Sequence, residues 1–294
     1  MIDNLNHPIA VLGNFDGVHN GHRRIFTCAI EKAKREKKSV VALTFWPHPS
    51  RFFTHPVPLI QTLEQRTECL YSLGIDRVEV IPFDLIASLE PEEFLPYLLK
   101  QISISSLVVG EEFRFGRERR GNLSMLRALA HPLGIEIKGL PVVKLLGGKI
   151  GSSSIRFHLQ EGNLQRSRLL LGGFYSVEGV VEQGVQRGRE LGFPTANMVP
   201  ENDPLLPPGV YLTRVEREGE FKDSLTYIGS CPTFSASNRL RYETFLLDFQ
   251  GDLYGQRLRI YFIQRLRGDI TFPSSKELKA QMGEDLAYAR NLLA

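Results

Sequence analysis

The order of apolar segments along the chain constrains its fold more than any other feature. Up to about residue 172, short apolar runs typical of strands alternate with segments of helical periodicity. The segment Ser39–Phe45 is wholly apolar in its centre, as expected of a parallel strand that is covered on both faces. This alternation predicts a doubly wound, Rossmann-like α/β domain.

From Phe174 onward the pattern changes to strand-like runs separated by Gly, Pro and Asp turns, with no long helix between them. The runs are YSVEGVVEQG, GVYLTRVERE, SLTYIGS, RYETFLLDF and LRIYFIQRL. Their spacing predicts a small antiparallel β-barrel or sandwich. A C-terminal helix is expected from Ser274, which has capping-box spacing to Glu277. The apolar stripe of this helix comprises Leu278, Met282, Leu286 and Ala289.

The length of the chain fits about two domains. Of its 294 residues, 42% are hydrophobic and 23% are charged, which excludes the disordered and fibrous classes. We place the boundary within residues 160–173, where the pattern changes, which gives an α/β domain at 1–165 and a β domain at 166–294.

Net charge and cysteine usage limit the kinds of partner and the cellular compartment that can be expected for this chain. The 36 Lys and Arg residues exceed the 33 Asp and Glu residues by only +3, too little to predict nucleic-acid binding. No apolar run approaches the ~20 residues of a membrane span, and the first residues lack a signal-peptide pattern. The three cysteines form no CxxC pair, as is typical of a reducing compartment. We therefore expect a cytoplasmic protein that binds neither nucleic acid nor membranes, and its oligomeric state is left open.

The string GNFDGVHNGH (Gly13–His22) lies where the first strand ends and the first helix begins. Ligands of open α/β sheets bind at this edge. Glycines allow the backbone to approach a phosphate, and the helix N-terminus adds unpaired N–H groups. His19 and His22 share one face of the first helical turn, where they would stabilise charge on an α-phosphate. A metal site is disfavoured because no third ligand follows at suitable spacing, and neither a P-loop nor a GxGxxG motif occurs.

A second candidate site follows in the β half, at GFPTAN (Gly192–Asn197). Such a string is by itself an ordinary turn. Thr195 and Asn197, however, offer a hydroxyl and a carboxamide suited to Mg²⁺ and phosphate oxygens. Glu243 lies in an apolar strand, so it is either paired with a neighbour such as Arg241 or serves as general base for phosphoryl transfer.

GNFDGVHNGH resembles the signature of the HxGH nucleotidyltransferases, specifically the adenylyltransferase module of bacterial bifunctional riboflavin kinase/FAD synthetases. Three further segments resemble that module in order: TFWPHP (44–49), VGEEFRFG (109–116) and KIGSSSIR (149–156). GFPTAN resembles the hallmark of riboflavin kinases, as do GVY, CPTF, LLDF and GDLYG around it. The resemblance therefore extends over nearly the entire chain.

The resemblance implies two ATP-dependent reactions. The C-terminal domain would phosphorylate riboflavin to FMN with Mg²⁺, and the N-terminal domain would adenylylate FMN to FAD with release of pyrophosphate. The implied catalytic residues are Glu243 for the kinase and His19, His22 and Arg156 for adenylyl transfer. The implied ATP-binding residues are Gly13, Asn14, Phe15, Asp16, Gly17, Gly21, Ser152 and Ser153 in the first domain, with Gly184, Gly188, Arg189, Thr195 and Asn197 in the second. The implied flavin-binding residues are Phe45, His48, Gly110, Glu112 and Phe113, and Thr195 and Asn197 would hold Mg²⁺.

Three positions depart from the family pattern and leave alternatives open. Glu112 stands where Asp or Asn is usual, Gly151 replaces a Ser, and Lys149 stands where Arg is common. A riboflavin kinase with a weak or inactive adenylyltransferase domain is therefore the second hypothesis. Another HxGH enzyme, such as a class I aminoacyl-tRNA synthetase, is the third, but the chain has no KMSKS-like loop.

Overall fold

A computed structural model describes residues 7–52, 54–145, 147–183, 192–230 and 240–293. Contacts between Cα atoms divide the chain into two compact units, Met1–Ser152 and Ser153–Ala294. The boundary between domains near residue 165 stays a prediction.

The first unit contains a five-stranded sheet in the order β3-β2-β1-β4-β5, and all of its strand pairs are parallel. The strands are β1 (Ile9–Leu12), β2 (Val40–Trp46), β3 (Arg77–Pro82), β4 (Ser106–Gly110) and β5 (Glu136–Leu140). The helices are α1 (Asn20–Glu36), α2 (Leu63–Ser72), α3 (Pro91–Gln101) and α4 (Leu123–Ala130). A hairpin follows, formed by β6 (Lys144–Leu145) and β7 (Gly148–Lys149). The predicted α/β architecture is confirmed.

Buried side chains cover both faces of this sheet. On one face, α3 and α4 contribute Phe94 and Leu126 to the core. On the other face, α1 and α2 contribute Phe26 and Leu70. All residues of β1 are buried, which explains why the central strands lack alternation of polar and apolar residues.

Local signals determine where the helices of the first unit begin. Thr62 and Gln65 form the predicted capping box, each side chain accepting from the backbone N–H of the other residue. Asn122 caps α4 by accepting from the backbone N–H of Met125 at 3.0 Å. Pro91 is the first residue of α3, a position that does not require its missing N–H.

The second unit contains a closed six-stranded antiparallel barrel, so the barrel of the two predicted alternatives is confirmed. Helix α5 (Ser152–Gln160) leads into the unit and α6 (Leu164–Leu171) follows it, so most of the segment 160–173 is helical. The strands are β8 (Tyr175–Glu182), β9 (Ala196–Met198), β10 (Gly209–Arg217), β11 (Glu220–Ser230), β12 (Leu240–Leu246) and β13 (Arg257–Gly268). Their order is β10-β11-β12-β9-β8-β13, and β13 pairs with β10 to close the barrel. Only β9 was absent from the predicted strands, because it lies within the turn-like GFPTAN motif.

Side chains fill the interior of the barrel. The rings of Tyr211 and Tyr242 pack edge-on against Phe262. Thr213 and Thr226 are joined by a hydroxyl hydrogen bond of 2.8 Å, and the neighbouring hydroxyl groups extend this buried chain. Because the interior is occupied, a binding site of this unit has to use the ends or the outer face of the strands.

Helix α7 (Ser275–Leu293) covers part of that outer face, where Leu286 and Ala289 pack on residues of β10 and β11. Ser274 accepts from the backbone N–H of Glu277 at 3.3 Å, as its capping position predicts. The predicted apolar stripe is interrupted by Asp285, which is buried and paired with Arg267 of β13. No helix among the described residues is long and apolar enough to span a membrane.

Candidate active sites

The loop Gly13–His19 joins β1 to α1 at the carboxyl end of the central strand. Its path requires left-handed backbone at Phe15 (φ 52°) and Gly17 (φ 86°). The Phe15 ring is buried against Phe26, so the predicted contact of Phe15 with ATP has to come from its backbone. A Cβ at Gly13 would lie 2.9 Å from the Phe15 ring, so any other residue there has to displace the ring.

Asp16 connects this loop to two other parts of the first unit. Its buried carboxylate accepts from the backbone N–H groups of Ile60 at 3.0 Å and Gln61 at 3.2 Å. Its carbonyl oxygen accepts from the hydroxyl group of Ser152 at 2.8 Å. These bonds hold the carboxylate of Asp16 against the backbone at Ile60 and Gln61, and its contact with ATP stays a prediction. They also bring the KIGSSSIR segment to the first motif through Ser152.

The two histidines of the motif lie against each other. Their rings stack with centroids 3.6 Å apart and planes 15° apart. His19 is the N-cap of α1 rather than part of its first turn, and its Nδ1 accepts from the backbone N–H of His22 at 3.2 Å. Gly21 is needed beside this pair, since a Cβ there would lie 3.0 Å from the His19 ring.

The pKa of His22 lies well below its usual value, chiefly because the ring is enclosed, and next because of His19 and the charge of Arg66. At neutral pH His22 is therefore an uncharged imidazole. The prediction that both rings stabilise phosphate charge has to be refined for this reason. An uncharged imidazole can still donate a hydrogen bond, as catalytic imidazoles with lowered pKa do in other enzymes.

A cavity of about 650 Å³ opens beside the motif, with Gly13 and Asn14 in its wall. Six phenylalanines line it: Phe45, Phe52, Phe83, Phe94, Phe113 and Phe115. Its volume and its aromatic walls suit a large planar ligand.

The five residues predicted to bind flavin divide into two groups. Phe45, Glu112 and Phe113 line the cavity. His48 is not in the lining; it is buried, and its Nδ1 shares a 2.8 Å hydrogen bond with the Ser50 hydroxyl. Gly110 lies at the end of β4, also outside the lining.

Of the three departures from the family pattern, Glu112 lines this cavity. Glu112 forms an ion pair with Lys149 of β7, so two of the three unusual residues compensate each other. A Cβ at Gly151 would meet open space. Ser153 and Arg156 lie in the first turns of α5, and their contact with phosphate stays a prediction.

In the barrel, a row of polar side chains crosses three strands. Asn197 of β9 stands directly opposite Glu243 of β12, which stands directly opposite Tyr227 of β11. Residues paired in this way share one face, with Cβ atoms about 5 Å apart. Tyr242 and Thr244 beside Glu243 are buried in the barrel, so the row lies on its outer face.

GFPTAN is held over this row by its own side chains. Phe193 packs edge-on against Phe245 of β12, with ring centroids 5.5 Å apart. The Asn197 amide donates to the carbonyl oxygen of Thr195 at 3.4 Å. The predicted residues Gly184, Gly188 and Arg189 lie outside the described residues, as does the CPTF segment.

The oxygen atoms of Thr195, Asn197 and Glu243 are of the hard type that Mg²⁺ prefers. The described residues include no group of three or more His, Cys, Asp or Glu side chains placed to hold a metal ion. Mg²⁺ in ATP-dependent enzymes is usually held by one or two protein groups together with phosphate oxygens and water. The donor set therefore fits a Mg²⁺ ion that arrives with ATP.

The sequence interpretation missed Tyr227 and Asp269. The Tyr227 hydroxyl donates to Asp269 Oδ1 at 3.0 Å. Burial raises the pKa of Tyr227 to about 12, with further contributions from Asp269 and the charge of Glu243. Tyr227 therefore stays protonated beside Glu243, and the only signal in the sequence is its outward-facing position in the run SLTYIGS.

The two units together define a class of protein. A glycine-containing loop at the edge of a parallel sheet is followed by a closed barrel whose outer face carries a carboxylate opposite an amide, which fits a two-domain ATP-dependent transferase. Residues 2–154 match the family model of FAD synthetase, and residues 171–293 match that of riboflavin kinase. The chain belongs to the family of bifunctional riboflavin kinase/FMN adenylyltransferases.

Relatives of that name match along nearly the whole chain. The protein of Bacillus subtilis (strain 168) is 33% identical over 299 residues, covering 97% of this chain and 93% of the relative. That of Escherichia coli (strain K12) is 34% identical over 288 residues, covering 96% and 91%. A crystal structure from Streptococcus pneumoniae, named as a macrolide-efflux protein, superposes with a TM-score of 0.88 at 29% identity and covers 99% of this chain and 96% of its own.

Proposed function

We propose that this chain makes flavin cofactors in two steps. The second unit transfers the γ-phosphoryl group of ATP to riboflavin and gives FMN. The first unit transfers the adenylyl group of a second ATP to FMN and gives FAD and pyrophosphate. One observation supports the proposal: each unit of a single chain has a candidate site, the stacked histidines beside an aromatic cavity in the first and the Asn197–Glu243 pair in the second.

In the kinase step, Glu243 accepts the proton of the terminal ribityl hydroxyl as its oxygen attacks the γ-phosphorus, and ADP leaves. Thr195 and Asn197 would hold Mg²⁺ and orient the phosphates, and the ion when bound would supply positive charge to the transferred phosphoryl group. Tyr227 stays protonated and directs its hydroxyl to Asp269, which leaves Glu243 as the basic group of this row.

In the adenylyl step, an ionised oxygen of FMN attacks the α-phosphorus and the bond to pyrophosphate breaks. The attacking phosphate needs no general base, so the unit contributes position and charge stabilisation. The phenylalanine-lined cavity holds the flavin ring, and its wall at Gly13 and Asn14 places the FMN phosphate next to the first motif. His19 and His22 donate to the α-phosphate, and Ser152, Ser153 and Arg156 bind the other phosphates.

A product assay tests both steps in one preparation. The purified chain with riboflavin, ATP and Mg²⁺ is expected to yield FMN and then FAD by chromatography. Glu243→Gln is expected to abolish FMN formation and to leave FAD formation from supplied FMN intact. The double variant His19→Ala/His22→Ala is expected to do the reverse. Absence of FMN with the unmodified chain, or failure of Glu243→Gln to convert supplied FMN to FAD, would contradict the proposal.

The second hypothesis, a kinase with an inactive first unit, depended on Glu112, Lys149 and Gly151. Glu112 and Lys149 are paired with each other, and a side chain at position 151 would meet open space. Neither feature obstructs the aromatic cavity. FAD formation from FMN by the unmodified chain distinguishes the two hypotheses. A cytoplasmic location remains a prediction from cysteine usage.

A further inference from the structure

Arg66 is the largest side chain that is completely buried in the described part of the chain. It lies in α2, and its Nη1 donates to the Thr44 hydroxyl at 3.4 Å. Among the residues that the structure describes, its Nε and Nη2 have no hydrogen-bond partner. Burying a guanidinium with unused donors is costly, and such donors are rare in stable cores. Stability therefore does not explain a cation at this position.

The surroundings of Arg66 belong to the adenylyl site. The Thr44 hydroxyl, which accepts from Arg66, donates to the carbonyl oxygen of Asn14 at 3.2 Å. Asn14 is part of the first motif and of the cavity wall. A continuous chain of hydrogen bonds therefore runs from the guanidinium to the loop that is proposed to bind ATP.

Arg66 also interacts electrostatically with two titratable groups of the motif, the Asp16 carboxylate and the His22 imidazole. Its own pKa is lowered by burial, and the carboxylate of Asp16 acts in the opposite direction and favours the charged form. Its charge helps to lower the pKa of His22, which otherwise faces His19. The guanidinium thus interacts electrostatically with both groups of the motif.

We propose that Arg66 is a positioning residue for adenylyl transfer, which fixes the motif loop through Thr44 and keeps a permanent positive charge behind the phosphate site. The inference rests on the proposed function of the first unit. A fixed cation in a low-dielectric interior stabilises negative charge that develops nearby more strongly than the same cation in water. Its charge also adds to the effects of burial and of His19 that favour the uncharged form of His22.

Arg66→Met tests the charge, because methionine is apolar and flexible enough to fill most of the space. We expect kcat for FAD formation from FMN to fall about 100-fold, the scale of a small misplacement of reacting groups. The KM for FMN is expected to change little, because Arg66 does not line the flavin cavity. Arg66→Lys keeps the charge and is expected to restore most of the rate.

The experiment measures FAD formation from FMN across pH 5–9 for the unmodified chain, Arg66→Met, Arg66→Lys and the control Arg127→Met, an exposed arginine of α4 in the same unit. Histidine NMR follows the titration of His22, which is expected to move to higher pH in Arg66→Met only. Arg127→Met is expected to match the unmodified chain. Kinase rates in the same preparations are expected to be unchanged.

A folded Arg66→Met variant with unmodified kcat and an unmoved His22 titration would overturn the inference. If Arg66→Met fails to fold, Thr44→Val decides, because it removes the linking hydroxyl at nearly constant volume. A reduced kcat in Thr44→Val supports the inference and an unmodified kcat overturns it. Absence of FAD formation in the unmodified chain would instead contradict the proposed function, so the two failures are distinguishable.

Discussion

The ion pair between Arg267 and Asp285 is predicted to hold α7 on the barrel. Arg267 Nε lies 2.9 Å from Asp285 Oδ1 and Nη2 lies 2.8 Å from Oδ2, a bidentate contact. Only 17% of the arginine and 9% of the aspartate side chain is exposed. Removing one partner of a buried pair costs about 3–5 kcal/mol, because the other charge stays buried and unpaired. The residual exposure of Arg267 places Asp285→Ala at the lower end, ~3 kcal/mol.

This loss is expected to affect the barrel and its site selectively. For a unit of this size it lowers the unfolding temperature by about 10 °C. Arg267 also acts on Tyr227, which is bonded to Asp269 in the polar row beside Glu243. We therefore expect Asp285→Ala to weaken the kinase reaction at temperatures where FAD formation from FMN is unaffected.

Thermal unfolding by circular dichroism measures the loss of stability, and the fluorescence of Trp46 provides an independent signal. It is the single tryptophan of the chain and lies in β2, so its fluorescence reports the first unit. Arg290→Ala is the matched control, since it removes an exposed ion pair of the same helix with Asp248. If the unfolding temperature of Asp285→Ala equalled that of the unmodified chain, or was no lower than that of Arg290→Ala, the claim that this ion pair holds α7 on the barrel would be wrong.

Three further predictions concern the first unit. The pKa of His22 is lower in the folded than in the unfolded chain. As pH falls below about 6.5, the unfolded chain therefore binds more protons than the folded chain, and the free energy of unfolding of the unit decreases. In urea unfolding from pH 7.5 to 5, His22→Gln should flatten this dependence. In a double-mutant cycle, Glu112→Gln and Lys149→Met should show a coupling energy below ~1 kcal/mol, because both side chains are more than half exposed. A larger coupling energy would contradict this weak surface pair and would indicate that the pair closes the cavity. Gly13→Ala should cost about 1–3 kcal/mol by displacing the Phe15 ring, and it should reduce FAD formation without changing FMN formation.

The sequence predicts most of the fold because strong local signals coincide with the elements. Buried central strands have continuous apolar runs, and the helix starts at Thr62, Pro91 and Asn122 have recognisable caps. Strand β9 was missed because it has three residues, and only pairing with the distant β8 and β12 makes it a strand. The barrel and the sandwich remained equal alternatives, since closure depends on the pairing of β13 with β10.

The sites were predicted less completely, for a different physical reason. Motifs identify residues by type and spacing, and they do not reveal whether a side chain is buried or already hydrogen-bonded within the fold. Asp16 has the chemistry of a ligand-binding residue, yet its carboxylate is taken by two backbone N–H groups. Arg66 has the appearance of a solvent-facing residue of an amphipathic helix, yet it is buried completely. Only tertiary contacts separate these cases.

In the proposed function the two units bind ATP phosphates differently, and neither way needs a net charge larger than the +3 of the chain. In the first unit, we propose that backbone N–H groups at the start of α1, the stacked histidines and one buried cation act at short range. In the second, strand pairing brings an amide and a carboxylate together at Asn197 and Glu243, where we propose that a bound divalent ion would supply the positive charge. Neither arrangement requires an extended basic surface. Charge reversal of exposed lysines far from both sites is therefore expected to leave both KM values for ATP unchanged, which titration of initial rates at low and high salt would test.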